Sequence, residues 1–351
     1  MLNVPVNEWV QHNDGTQVWY SADNNILPVI KKEIAKQPTA VLYIVGIYDW
    51  AYNIKPLLFV KGVKKIISVR GMLHPGALSQ KPLKKKLFLF LLKVWGWQRK
   101  VVFHVTDEAE KEFVENKLGI RNEESEIQVA GNFPNLFDVM PMPEKEVGKL
   151  KLVSVGLISA MKNYLLILNS LKDVSRFLLG EEKVKVEVKV KVKVEVEEEE
   201  EVKIQYDIYG PIKDIDYWEE CKAVIKNMPG NVLVKYHGAV EPAAVEKALA
   251  KSHVFILPSK SENYGHSIIE ALSIGRPVIT SNATPWNGLK EAKAGINVEM
   301  LVGNGLAEAI GVFINMPQEE LVEWSNACAM YANNAVDLQK IKMQYKNLFS
   351  L

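Results

Sequence analysis

Short runs rich in Val, Ile, Leu and Tyr recur along the chain, and between most of them apolar positions fall three and four residues apart. The first pattern predicts strands and the second amphipathic helices. Strands are expected at 16–20, 41–46, 65–69, 101–105 and 126–130, then at 151–156, 203–209, 231–237, 253–257, 277–281 and 295–298. Helical patterns occupy 163–173, 214–227, 241–251 and 267–274. Strands alternating with helices imply an α/β class, parallel sheets with helices on both faces. Between the two series, residues 132–149 (NFPNLFDVMPMPEKEVGK) hold three prolines and suggest a linker. The expected organisation is a Rossmann-like domain over 1–131, the linker 132–149, a second Rossmann-like domain over 150–330 and a C-terminal helix over 331–351. Two such domains would face a cleft, with ligands at the carboxyl ends of the strands.

Two stretches break the pattern. Residues 181–201 (EEKVKVEVKVKVKVEVEEEEE) contain nine Glu, seven Val and five Lys and nothing else. Their period of two would make one all-valine face, as in a long strand or hairpin, while the Glu-rich end repels itself and suits a solvated insertion. Residues 61–100 carry 11 Lys or Arg and no acidic residue, and within them KPLKKKLFLFLLKVWGWQRK (81–100) sets basic residues beside Leu, Phe and Trp. That mixture suits an interfacial helix on anionic lipid, and equally a core helix with a solvated basic end.

Composition narrows the function classes. Over the 351 residues, 43 basic and 42 acidic side chains leave a net charge of +1, which argues against a general nucleic-acid binder. Cys221 and Cys328 are too few for a disulfide scaffold or a cysteine zinc site. Residues 1–20 lack a basic lead and an apolar run of signal-peptide length, and no run of 18 apolar residues occurs. The expected location is cytoplasmic, with 81–100 a candidate contact at the inner membrane face.

Candidate chemistry gathers in the second series. In VSVGLISAMKN (153–163) a strand ends at Gly156, a loop follows and a helix begins near Lys162. A helix start offers N–H groups to an anion and Lys162 adds a cation; an ordinary strand–helix turn with a surface lysine reads the same way. In PSKSENYGHSIIEALSIGRPVITS (258–281) an apolar strand runs into a Ser-rich loop holding Glu262. Gly265, His266 and Ser267 start a helix whose N–H groups could cradle a diphosphate, and Glu270 one turn in could accept from two ribose hydroxyls. Glu270 lies among Ile268, Ile269, Ala271 and Leu272, so its carboxylate needs a partner. YDIYGPI (206–212) and VKYHGAV (234–240) add strands ending in Gly-containing turns that could line a base or ribose.

These residues resemble the donor-binding domain of retaining glycosyltransferase family four, of GT-B fold. The family's Glu–seven residues–Glu element, followed by G-x-P-V-I, is matched by Glu262, NYGHSII, Glu270 and ALSIGRPVITS. Its G-R-[LI]-S-x-x-K-N is matched by G-L-I-S-A-M-K-N, and ATPWNGLKEAKAGINV (283–298) is similar to a later stretch of some members. The resemblance spans about residues 150–345, interrupted by 181–201. In the first domain, VRGMLHPGALSQKPLKKKLF (69–88), HVTDEAE (104–110) and VAGNFPN (129–135) are similar to segments of members that make surface polysaccharides.

The resemblance implies a hexosyltransferase-type enzyme that moves a sugar from a nucleotide-sugar donor, UDP- or GDP-linked, to a glycan or lipid-linked acceptor with retention. It implies that Lys162 and Gly156, with Gly265, His266 and Ser267, hold the donor diphosphate, that Glu270 holds the ribose, and that Glu262 lies against the transferred sugar. Arg70 would stand on the acceptor side, with His74 a weaker candidate. No metal and no cofactor beyond the donor substrate is expected. Two departures stand out. Leu157 replaces the family's phosphate-binding Arg, and the strand and Gly-rich loop that open family members have no counterpart, so the first domain is expected to be truncated. They keep a second reading open: a catalytically impaired remnant or subunit that binds sugar nucleotide and needs a partner chain. An epimerase of nucleotide sugars with this architecture is a third, without a specific residue in its favour.

Overall fold

The computed structural model describes residues 4–12, 14–37, 39–73, 85, 87–90, 94, 101–120, 126–178, 201–299 and 304–350. Most of 81–100 and of 181–201, together with His74, lies outside the described residues. The chain divides into two units, residues 1–133 with 338–351, and residues 134–337.

Unit 1 opens with strands β1 (Trp9–Gln11) and β2 (Gln17–Trp19), followed by helix α1 (Leu27–Lys36). The strand expected at 16–20 pairs antiparallel with β1, outside the parallel sheet. The chain reverses between His12 and Thr16, closed by an N–H···O bond of 2.8 Å, and so short a turn can join only antiparallel strands. Trp9 and Trp19 stand opposite each other, rings edge-on at 5.6 Å. Next come β3 (Val41–Val45), a π-helical turn (Trp50–Ile54), α2 (Lys55–Phe59), β4 (Lys64–Ser68), β5 (Val102–Val105), α3 (Glu108–Leu118) and β6 (Glu126–Val129). Asp107 caps α3 by accepting from the Glu110 N–H at 2.7 Å, and Gly119 ends it in the left-handed region. Strands β3 to β6 form a parallel sheet in sequence order, its core including Ile67, Val69, Phe103 and Val105.

Unit 2 contains β7 (Leu150–Val155), α4 (Tyr164–Leu178), β8 (Ile204–Tyr209), α5 (Ile215–Lys226), β9 (Val232–Tyr236), α6 (Pro242–Ala250) and β10 (Val254–Leu257). It continues through α7 (His266–Ser273), β11 (Val278–Ser281), β12 (Gly295–Val298), α8 (Gly305–Asn315) and α9 (Gln318–Ala335). Its six parallel strands run in the order β12-β11-β10-β7-β8-β9. This is the doubly wound order, with the direction of winding reversing between β7 and β10. Central strands have neighbours on both sides and helices on both faces, so β10 (VFIL) is continuous apolar sequence and wholly buried.

The sequence sets 132–149 apart as a linker; from residue 134 onward this stretch clusters with unit 2. Residues 131–146 form no helix or strand, yet they are fastened. The buried guanidinium of Arg276 donates to the carbonyls of Met140 and Pro141, and also to those of Leu249, Ala250, Ile274 and Gly275. Burial pulls its pKa down to about 10. The sequence also keeps 331–351 as one helix; residues up to Ala335 complete α9 in unit 2, whereas helix α10 (Leu338–Phe349) returns to unit 1. There Leu348 is buried with Ile66, Val102 and Ala130. Among the described residues no helix is long and apolar enough to cross a membrane.

Candidate functional site

The reversal of winding in unit 2 leaves a gap above the carboxyl ends of β7 and β10, where such folds bind ligands. The loops leaving these two adjacent strands carry Lys162 and Glu262. They are stitched together by the Lys260 N–H, which donates to the Met161 carbonyl at 2.8 Å. The Lys162 ammonium donates to Oε1 of Glu262, an ion pair whose side chains are 20% and 10% exposed. Ser259 Oγ donates to the same oxygen at 2.7 Å.

Lys162 precedes Asn163, whose φ of 64° is left-handed, and α4 begins at Tyr164. One N–H at that helix start is taken: Leu165 N donates to the Tyr217 hydroxyl at 2.9 Å. That N–H is therefore already satisfied within the unit. Gly156 ends β7, and its carbonyl accepts from the Tyr164 hydroxyl at 3.1 Å. Gly210, at φ +140°, ends β8 against it; a Cβ there would lie 1.9 Å from the Gly156 oxygen, so the close approach requires glycine. Beyond Gly210, the His237 ring stacks on Tyr209 at 4.4 Å, and its Nε2 lies 2.6 Å from Oδ1 of Asp207.

Gly265, with φ +79°, caps α7, and a Cβ on it would press on Ile268 and Trp286. The Trp286 indole N–H donates to the Tyr264 carbonyl, bracing this turn. His266 is exposed, its ring 4.8 Å from that of Tyr264, and Ser267 is half-buried. The first N–H groups of a helix lack intrahelical acceptors, so this end presents donors and partial positive charge. Glu270, one turn on, is half-buried between buried neighbours, and burial pushes its carboxyl pKa up. Its partner is Asn135, whose Nδ2 donates at 3.3 Å from the extended 134–149 segment. That segment is held beside α7 by Phe137 N to Ser273 Oγ, 3.0 Å, and Met140 N to Ile274 O, 3.2 Å.

Thus unit 2 joins Lys162 directly to Glu262 and holds Gly156, Gly265, His266, Ser267 and Glu270 on loops or a helix at the carboxyl edge of its sheet. Arg70 belongs to unit 1. It stands two residues past the end of β4 with a left-handed φ of 51°, its Nη1 donating to Asn132 Oδ1 at 2.8 Å, and its charge interacts with the Tyr345 hydroxyl. Close by, the buried Glu110 carboxylate accepts from the Gly71 and Thr106 N–H groups and from the Thr106 hydroxyl. Ser259, Asn135 and Tyr345 escaped the sequence reading. Ser259 stands three residues before Glu262, a spacing at which a hydroxyl reaches a carboxylate; Asn135 and Tyr345 meet their partners only through the fold. A shallow apolar groove of about 440 Å³, lined by Ala292, Ala327, Met330 and Tyr331 among others, includes none of these site residues.

Residues 151–315 match the profile of the family described as glycosyl transferases group 1. No curated protein sequence matches the chain. Among solved structures, sucrose-phosphate synthase from Thermosynechococcus elongatus is similar at 14% identity and a TM-score of 0.69, over 99% of this chain and 86% of that one. TarM of S. aureus, solved with UDP and alpha-GlcNAc-glycerol, is 14% identical with a TM-score of 0.64 over 96% of this chain; the chain spans 60% of the length of TarM. WaaG, a glycosyltransferase involved in lipopolysaccharide biosynthesis, is 12% identical with a TM-score of 0.59, over 99% and 86%. The chain therefore carries a glycosyl transferases group 1 domain, and its fold is that of GT-B glycosyltransferases.

Proposed function

We propose that the chain is a retaining glycosyltransferase of family four that moves a sugar from a nucleotide diphosphate to a hydroxyl of a glycan or glycolipid in surface polysaccharide or lipopolysaccharide synthesis. The observation that carries the reading is the Lys162–Glu262 pair above the β7/β10 reversal of the glycosyl transferases group 1 domain. The bond from the sugar C1 to the diphosphate oxygen breaks, and the nucleoside diphosphate leaves with the electron pair. Lys162 and the α7 N–H groups around Gly265, His266 and Ser267 stabilise that growing charge in a fixed, partly dry setting. Glu270 accepts from the ribose hydroxyls, and Glu262 lies against the sugar as its C1 becomes cationic. The acceptor oxygen bonds to C1, and its proton passes to the departing diphosphate. Arg70, on unit 1, serves the acceptor side. UDP or GDP is the proposed nucleotide, and the UDP bound by TarM favours UDP.

Calorimetric titration of the intact chain with UDP, GDP and ADP tests the donor site. Binding of one nucleotide that Lys162→Ala weakens at least about tenfold supports it; no binding by a folded chain refutes it. A second reading, a sugar-nucleotide-binding subunit that is catalytically impaired without a partner, is favoured by Leu157, which is 43% exposed where the family resemblance expects a phosphate-binding Arg. Nucleotide binding without transfer to any glycan or glycolipid acceptor would favour that reading over the enzyme.

A further inference from the structure

The Lys162 ammonium is paired with the Glu262 carboxylate, so the charges of the loops above β7 and β10 cancel there. A departing diphosphate carries several negative charges and needs more than helix N–H groups to meet them. Leu157, on the same loop as Lys162, brings none.

A third loop stands at this edge. Past the strand ends, β7 and β8 stay paired in unchanged register, with Ile158 opposite Ile212. Gly156 N donates to Tyr209 O at 2.9 Å and Ile158 N to Pro211 O at 3.0 Å. The Lys213 and Asp214 N–H groups then converge on the Ile158 carbonyl at 3.1 and 3.2 Å. Lys213 therefore lies beside the residue next to Leu157, and its four-carbon stem is long enough to reach the outer side of that loop. Ile158 is wholly buried, whereas Leu157 and Lys213 are exposed. The Lys213 ammonium is uncommitted: among the described residues its side chain forms no hydrogen bond or ion pair. The adjacent Asp214 carboxylate is occupied in capping α5, accepting from Tyr217 N at 3.2 Å. Lys260 is equally exposed, but its N–H bonds to Met161 O, so it flanks the half of the loop where the Lys162–Glu262 pair already stands.

We infer that Lys213 is a second ammonium ligand of the donor diphosphate, carried by the β8–α5 loop to the side that Leu157 leaves uncharged. The inference rests on the proposed donor site and adds a residue to it. Titration calorimetry of the full chain with UDP, GDP and ADP at low and high salt, with inorganic pyrophosphate as competitor, tests it. Lys213→Ala should weaken the nucleotide that binds, and pyrophosphate, by about tenfold at low ionic strength and by less at high salt, because the ammonium is exposed. Lys213→Arg should keep most of the affinity. The side chain has no partner within the chain, so Lys213→Ala should leave the melting temperature of the protein alone unchanged and shrink only the rise that nucleotide produces. A Lys213→Ala chain that binds nucleotide within about twofold of the parent overturns the inference and leaves the transferase reading standing. A loss on nucleotide with pyrophosphate unaffected overturns it too, since Lys213 would then touch base or ribose. So does an equal loss from Lys260→Ala, which would show a response to net charge alone. A folded parent that binds no nucleotide refutes the proposed function and this inference with it.

Discussion

Replacing Glu262 with Gln should tighten nucleotide binding while slowing transfer, an unusual pairing for a site residue. The Lys162 ammonium is held by the Glu262 carboxylate, which also accepts from Ser259. A diphosphate must share or displace that contact, and it faces the carboxylate charge in a pair largely withdrawn from water. Glutamine keeps the size of the side chain and an acceptor for Lys162 but removes the charge. The gain should approach the difference between a charge-assisted and a neutral hydrogen bond, about 1–2 kcal/mol, or roughly five- to thirtyfold in Kd. Lys162→Ala moves the other way: losing a charge-assisted bond to phosphate costs about 1.5–3 kcal/mol, roughly ten- to a hundredfold. In the double variant the gain from Gln should vanish, because no ammonium remains to be released. Titration calorimetry with the nucleotide that binds, at fixed ionic strength, reads all four corners of this cycle. A Glu262→Gln chain that is folded and binds no more tightly than the parent would refute the competition. A gain that survives in the double variant would mean that the carboxylate repels the diphosphate directly rather than through Lys162.

Glu270→Ala should weaken binding of the ribonucleoside diphosphate by about tenfold and that of its 2′,3′-dideoxy analogue by far less, because the lost contacts are to the sugar hydroxyls; equal losses on both ligands would remove Glu270 from the ribose. Arg276→Met should lower stability by about 3–5 kcal/mol, since it orphans buried carbonyls around Met140, Ala250 and Ile274, and a thermal scan should show a fall of roughly 10 °C. His253 is buried as a neutral ring, its Nδ1 accepting from Lys151 N at 3.0 Å and its Nε2–H donating to Glu144 O at 3.0 Å, and burial draws its pKa down to about 4. The unfolded chain binds this proton first as pH falls, so its contribution is complete above about pH 6.5 and is lost between there and about pH 4. The loss is on the order of 3 kcal/mol, and urea unfolding at pH 7 and pH 4.5, repeated on His253→Gln, isolates it.

The strands of unit 2 were legible because a parallel sheet buried on both faces must be written in short apolar runs, and β10 and β11 fall within a residue of the expected bounds. The loops after β7 and β10 were legible as loops, because Gly156 follows the first strand and Pro258 with a Ser-rich stretch follows the second. Partners distant in sequence were not legible. Nothing in Asn135 itself says that it will meet Glu270, because the meeting depends on how Arg276 gathers carbonyls from three separate segments. The antiparallel pairing of β2 was missed because a three-residue strand carries the same apolar signal in a hairpin as in a parallel sheet. The alternating Val and charge of 181–201 fits a strand or a solvated insertion equally, since period two fixes which residues share a face but not whether anything covers it.

Topology nevertheless says which edge of unit 2 that insertion leaves from. Strands β7 and β8 are parallel neighbours, so α4 between them carries the chain from the carboxyl edge of the sheet back to its amino edge. The chain leaves α4 at Leu178 and re-enters the sheet at Ile204, both on the amino side. Glu201 confirms the place, because its carboxylate pairs with Lys149, which immediately precedes β7, and with Lys203 at 2.8 Å. Lys162 and Glu262 lie at the other end of the strands. Replacing residues 181–200 with a short Gly/Ser connection should therefore change nucleotide affinity by less than about twofold, since closing a shorter loop perturbs only the amino edge. Titration calorimetry on that variant, with its melting temperature as a check on folding, measures this directly. A tenfold change in affinity at unchanged stability would require the insertion to reach across the sheet to the Lys162–Glu262 pair, and would overturn the separation of the two edges.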